Sequence, residues 1–170
     1  DRRPWCLTVS FTHPHDPYVA RRKYWDLYEG IAELDPPVED LGYANQDPHS
    51  RRLIDACDSH KFDITRETVR RARQGYFANI SYIDDKVGDL LETLRTTRML
   101  DNTIVLFTSD HGDMLGERGL WFKMSFFEGS ARVPLMVAGP GVTPRLVNEP
   151  VSTLDINPTL ADLAGIDIGE

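Results

Sequence analysis

One apolar stripe runs through residues 64–100. Val69, Ala72, Tyr76, Phe77, Ile80, Ile83, Val87, Leu90, Leu91 and Leu94 follow one another mostly at three- and four-residue steps. That period predicts a long helix with one face against a core, and such a face needs a second layer to lie on. Asp63 or Thr65 can cap its start, and Glu67 puts negative charge near the first turn, where the helix dipole favours it. Gly75 weakens the middle, and Met99-Leu100-Asp101-Asn102 breaks the helix. Residues 103–108 (Thr-Ile-Val-Leu-Phe-Thr) form a short apolar run of the kind buried on both faces of a parallel sheet. Residues 5–11, rich in β-branched and aromatic types, read as a strand, and residues 133–137 as another buried one, closed by Gly139-Pro140-Gly141. Residues 19–31 suit a short helix. Asn157-Pro158 looks like a helix cap, with Leu160, Leu163 and Ala164 as its apolar face and Gly165 as its end. The polar, proline-containing stretch 33–49 reads as a surface excursion. The expected fold is α/β: a mostly parallel sheet flanked by helices.

Charge and cysteine content narrow the function. A net charge of −8 disfavours nucleic acid as a partner. No apolar run reaches the roughly 20 residues that span a bilayer, so no membrane role is expected. Two cysteines in 170 residues are no disulfide framework. Cys6, inside a strand pattern, reads as a small buried hydrophobe. The start, Asp1-Arg2-Arg3-Pro4, shows no signal peptide. The cysteine usage suggests a reducing compartment, the cytoplasm.

Chemistry concentrates in three places. Asp110-His111 directly follows the predicted strand 103–108, at the end where α/β sheets place ligand sites, and Gly112 lets the chain turn. A carboxylate beside an imidazole offers one oxygen and one nitrogen ligand to a divalent cation. Taken alone, the pair reads equally as a capped turn. His13 and His15 lie in a proline-held loop after the predicted strand 5–11. In a parallel sheet that loop opens on the same edge as Asp110, so these histidines are acid/base groups, ligands, or simply exposed. Lys123 stands in the aromatic stretch Gly119-Leu120-Trp121-Phe122-Lys123. It either snorkels from a packed patch or points a cation into a pocket. Glu128 and Arg132 suit a structural ion pair.

Read together, these segments resemble the sulfatase family of the alkaline-phosphatase superfamily. The matching pieces are Thr12-His13-Pro14-His15-Asp16-Pro17-Tyr18, Tyr82-Ile83-Asp84 on the long helix, and Thr108-Ser109-Asp110-His111-Gly112-Asp113. Gly116-Glu117, Lys123, Phe127-Glu128-Gly129, Arg132-Val133-Pro134 and Asp155-Ile156-Asn157-Pro158-Thr159 complete the set. His13-Pro14-His15-Asp16-Pro17-Tyr18 and Gly119-Leu120-Trp121-Phe122-Lys123 are most similar to the bacterial choline-sulfatase branch.

The resemblance implies metal-dependent hydrolysis of a small sulfate ester, with choline sulfate as the substrate. It assigns Asp110 and His111 to half of a metal site for Ca2+ or Mn2+, with Mg2+ also admissible. The His111 nitrogen, where many relatives carry asparagine, favours manganese over calcium. It assigns Lys123 to the sulfate and His15 to the leaving-group oxygen; no role carries over to His13. The family's nucleophile is a formylglycine made within Cys-x-Pro-x-Arg. Neither Cys57-Asp58-Ser59-His60-Lys61 nor Cys6-Leu7-Thr8-Val9-Ser10 matches that pattern, and no adjacent aspartate pair supplies the other metal ligands. Residues 1–170 are therefore expected to be the central portion of a catalytic domain, partnered by the remainder of that domain and inactive alone. Self-association into a homo-oligomer is left open. Two alternatives stand beside this reading: a phosphonate monoester or phosphodiester hydrolase of the same superfamily, and a non-catalytic module.

Overall fold

The computed structural model describes residues 4–31, 34–167 and 169. The opening residues 1–3 and the first residue of the predicted excursion, Glu33, lie outside that set.

The long helix forms as its period requires. Helix α3 spans Arg66–Thr96, and the Thr65 side chain caps it by accepting from the Thr68 backbone N–H at 3.2 Å. The apolar stripe is mostly half-buried, with Ile80 and Leu90 exposed, and the deepest positions are Arg73, Gln74, Gly75, Ala78 and Asn79. The short helix Arg22–Trp25, the two-residue strand Met114–Leu115 and the loop at Tyr18 cover this face, and backbone carbonyls at the ends of such short elements need donors. Gln74 accordingly donates to the Trp25 carbonyl at 3.0 Å. Arg73 pairs with Glu117, and its Nη1 also reaches the Leu115 carbonyl at 3.3 Å. Gly75 has a positive reason for its place: a Cβ there would stand 2.2 Å from the Tyr18 carbonyl oxygen. The loop that carries His15 lies directly on that bare stretch of helix.

The region 19–31 folds as α1 (Arg22–Trp25) and a 3-10 turn over Asp26–Tyr28. It is pinned to α3 by Tyr24 donating to Asp85 at 2.7 Å and by a 2.7 Å hydroxyl pair between Tyr28 and Ser81. The excursion leads into α2, Pro48–Ala56, which the sequence reading overlooked. Asp47 caps it, accepting from the His49 and Ser50 N–H groups at 2.9 and 3.1 Å, and Pro48 occupies the first turn. Ile54 of α2 packs with Met114 and Leu120 into a small core, with Phe127 against it.

Strand β1, Val105–Thr108, pairs antiparallel with β4, Leu135–Ala138, with Thr108 opposite Leu135. A second antiparallel pair joins β2, Met114–Leu115, to β3, Trp121–Phe122. The expectation of parallel pairing is not met among the described residues. A parallel return needs a crossover across the sheet. Residues 109–134 instead leave β1 and re-enter β4 at the same end, passing through the β2–β3 hairpin and the single turn α4, Glu128–Ala131.

Three further expectations change. Residues 5–11 form no strand; Leu7 is 68% exposed, and Trp5 and Val9 are also open. A strand is held by its ladder neighbours, and none of the described residues supplies one. For the same reason Cys6 is exposed rather than buried. Strands β1 and β4 are not buried on both faces: β1 is half-buried and β4 is largely open, because no second layer of described residues lies over them.

The closing helix α5, Ile156–Leu163, follows Asp155 rather than being capped by Asn157, and a 3-10 turn over Thr153–Asp155, capped by Ser152, leads into it. The Ser152 hydroxyl accepts from the Leu154 N–H, and Asp155 accepts from the Ser152 N–H at 2.8 Å, a capping box. Gly165, at φ 69°, ends it as expected.

Candidate functional site

The site groups hang on the excursion between β1 and β4. Directly after β1, Asp110 and His111 turn toward each other, with Oδ2 of Asp110 3.5 Å from Nε2 of His111. The His111 Nδ1 is committed to the Gly112 carbonyl at 2.9 Å, which leaves Nε2 as the free ring nitrogen. Ser109 steadies the turn by donating to the His111 carbonyl at 2.8 Å. Gly112 is required here, because its N–H donates to the Ser130 carbonyl at 2.8 Å and an added Cβ would meet the Gly129 carbonyl oxygen at 2.2 Å.

This pair suits a divalent cation. Two donors about 2.2 Å from one ion, at tetrahedral to octahedral angles, stand about 3.1–3.6 Å apart. The observed 3.5 Å falls in that interval. The Asp110 side chain is 85% exposed, so it has open room for further ligands. Partial burial alone would raise its carboxyl, but the His111 imidazole, two backbone N–H groups and the Ser109 hydroxyl hold it below the usual range, ionised and ready to bind. Among the described residues no third histidine, cysteine or carboxylate completes a metal cluster.

Lys123 follows β3 in an unusual backbone. Phe122 and Met124, on either side of it, have φ of 65° and 75°. A side chain in this left-handed region costs about 1–2 kcal/mol per residue, and bulky residues enter it only where surroundings impose it. The result turns the Lys123 ammonium to within 2.9 Å of His15 Nε2. On its other side, His15 Nδ1 lies 2.9 Å from the Asp16 carbonyl and 3.0 Å from the Asp16 carboxylate. The loop is seated by Tyr18 on Gly75 and by His13, whose ring meets the Tyr82 ring edge-on at 5.1 Å. It also carries two cis peptide bonds, His13–Pro14 and Asp16–Pro17. His15 and Lys123 thus meet even though residues 5–11 form no strand.

A residue without an assigned role in the sequence reading joins the two pairs. Asp113 is half-buried, and burial pushes its carboxyl up, while His111, Lys123 and His15 pull it back down. It therefore lies within electrostatic reach of both the Asp110–His111 pair and the His15–Lys123 contact. The only signal in the sequence was a second carboxylate two positions after the histidine. The phenols of Tyr18 and Tyr76 are raised by burial and by the same carboxylate, Tyr76 to about 12, so both keep their protons. Their rings meet edge-on at 5.9 Å.

The remaining candidates settle simply. Glu128 and Arg132 form the expected ion pair, 3.3 Å apart and exposed. Phe127 packs on the core, with the Arg118 guanidinium 4.6 Å over its ring. Phe126 is 97% exposed. Burial raises the Cys57 thiol, the opposite of what a nucleophile needs.

Comparison with known proteins identifies the family. The sulfatase family model matches residues 1–166. The chain is 68% identical to a choline-sulfatase of Rhizobium meliloti over 99% of its own length and 33% of that protein. It is 36% identical to an arylsulfatase of Clostridium perfringens, over 98% of the chain and 35% of the relative. Among solved structures, yidJ of Bacteroides fragilis superposes with a TM-score of 0.74 at 28% identity, covering 99% of this chain and 34% of that one. A phosphonate monoester hydrolase of Agrobacterium radiobacter reaches 0.59 at 35% identity, covering 62% and 21%. The chain spans about a third of the length of the two curated relatives and of yidJ.

Proposed function

Because the chain belongs to the sulfatase family, we propose that the protein it forms part of hydrolyses sulfate esters, with choline sulfate as the preferred substrate. Residues 1–170 are read as the central, metal-ligating portion of an alkaline-phosphatase-like catalytic domain. The rest of that domain would complete a mostly parallel sheet over the open faces of β1, β4 and residues 5–11. The observation that carries the reading is the meeting of Lys123 with His15, 2.9 Å apart, on the excursion that also bears Asp110 and His111.

In this reading Asp110 and His111 hold one side of a divalent cation, manganese or calcium. When bound, the cation supplies Lewis-acid polarisation of the sulfate, and a formylglycine on another segment supplies the nucleophile. Lys123 places its ammonium on the sulfuryl oxygens, where charge develops as the ester bond breaks. His15 has Nδ1 held on the Asp16 side, so Nε2 delivers a proton to the departing alcohol oxygen. An alkoxide is a poor leaving group, so an acid there is chemically required; such steps gain about 10²–10⁴-fold. The chain's net charge of −8 favours a cationic alcohol end, while Lys123 and the metal reverse the field locally for the anion.

Phosphonate monoester hydrolases share the fold, but the likeness to choline-sulfatase is closer and longer: 68% identity over 99% of the chain, against 35% over 62%. The test is kcat/KM of the full-length enzyme for choline sulfate, for a neutral alkyl sulfate of equal size, and for a phosphonate monoester. Choline sulfate should lead both by at least tenfold. A difference of only a few-fold from the neutral sulfate removes choline as the substrate, and a faster phosphonate moves the protein to the other activity.

A further inference from the structure

The backbone around Lys123 is held from outside its own hairpin. Arg118 donates its N–H to the Val38 carbonyl at 3.1 Å, and its own carbonyl accepts from the buried Gln46 side chain. At the far end, His49 Nε2 lies 2.9 Å from the Met124 carbonyl. A carbonyl only accepts, so the histidine donates there. The backbone of the exposed His49 is itself fixed, since it sits in the first turn of α2 with its N–H on the Asp47 carboxylate at 2.9 Å. The stretch 38–49, expected to be a mere surface excursion, therefore grips both ends of the segment carrying Lys123. Of these ties, the one from His49 falls on Met124, directly beside Lys123 and one of its two left-handed neighbours.

The geometry points to His49 as a positioning residue for Lys123, acting through the Met124 carbonyl to hold the lysine in the left-handed segment that meets His15. This rests on the proposed role of Lys123 at the sulfate. His49 does not touch the reacting atoms. Its donor replaces water at a carbonyl that an unstrained loop would turn elsewhere, and so keeps the ammonium from swinging away. Small displacements of a positioned group cost large factors in rate, up to about 10²-fold for 1 Å.

The experiment compares His49→Ala, His49→Phe and His49→Gln in the full-length enzyme, beside Lys123→Ala and the double variant His49→Ala/Lys123→Ala. His49→Ala and His49→Phe should each lower kcat about tenfold and weaken inhibition by free sulfate several-fold. The melting temperature and metal content should stay unchanged. His49→Gln, whose side-chain N–H reaches the same carbonyl, should recover most of the turnover. The double variant should be no slower than Lys123→Ala alone, because both changes act on one group. Wild-type kcat in His49→Phe, failure of His49→Gln to recover, or fully additive losses would each overturn the positioning role. Wild-type turnover in Lys123→Ala would instead remove Lys123 from the sulfate, and the inference with it. Loss in Lys123→Ala with none in the His49 variants would spare the functional reading and sink only His49.

Discussion

The ammonium of Lys123 and the Nε2 of His15 stand 2.9 Å apart although 108 positions separate them in the chain. An ammonium only donates, so in this arrangement Nε2 accepts and the ring proton sits on Nδ1, toward Asp16. A sulfate between them would take the lysine's hydrogen bonds and release Nε2, which takes up a proton from water before it faces the leaving oxygen. In the proposed function the contact is thus a resting pair that an incoming anion would separate.

Leaving-group chemistry follows directly. In the full-length enzyme His15→Ala should slow an alkyl sulfate about 10²–10⁴-fold. An aryl sulfate, whose phenolate departs without a proton, should lose less than about tenfold. Paired kcat values on the two substrates decide it; equal losses would make His15 a binding group rather than an acid.

Asp110→Ala should remove metal and activity together, because the carboxylate is the hard anionic ligand of the pair. His111→Asn substitutes an oxygen for a nitrogen and should keep part of the activity while shifting preference from manganese toward calcium. Elemental analysis with activity restored by each ion checks both. Full metal content in Asp110→Ala would contradict the ligand assignment.

Gly75→Ala should destabilise the protein despite alanine's better helix propensity, worth about 1 kcal/mol. The new Cβ would meet the Tyr18 carbonyl oxygen at 2.2 Å, so the loop or the helix must shift. Overpacking of this kind costs about 1–3 kcal/mol, and the displaced loop carries His15. Melting temperature and kcat should therefore fall together. A variant more stable than wild type would mean that the loop does not seat there.

Acid should loosen the first turn of α2. The Ser50 hydroxyl and the backbone N–H groups around it hold the Asp47 carboxyl at about 2, against an ordinary 3.8. A depressed carboxyl contributes fully above the ordinary value, and the contribution is lost as pH falls through about 4 toward 2. Melting temperatures of wild type and Asp47→Ala should differ at pH 7 and converge near pH 2. A gap that persists at pH 2 would assign the difference to something other than the cap.

What was legible beforehand was what the chain decides locally. The stripe in α3, its Thr65 cap, the apolar runs of β1 and β4, and the Gly165 stop all depend on near neighbours in sequence. Helix α2 was legible too, in Asp47-Pro48 followed by Leu53 and Ile54, but it was hidden behind a polar, proline-containing approach. Residues 5–11 carry the right composition for a strand, yet a ladder is a relation between two segments and composition supplies only one. The buried polar face of α3 escaped the apolar pattern because Arg73 and Gln74 answer carbonyls at the ends of β2 and α1, which come from elsewhere in the chain. At the site, the Asp110–His111 pair is adjacent and could be read directly. The link from His49 to Met124 spans 75 positions and leaves no mark in either segment.

Strand β1 ends and β4 begins side by side, Thr108 against Leu135, so the intervening stretch is stitched shut at its own base. For anyone redesigning such a protein, that makes residues 109–134 a cassette. Its two mouths are already joined by a ladder, and its contents can be exchanged without re-threading the sheet. The exchange is not free of obligations, because Arg73, Gln46 and His49 each hold the cassette from outside. A graft that carries the loop but leaves those three behind would transplant the functional groups without their aim.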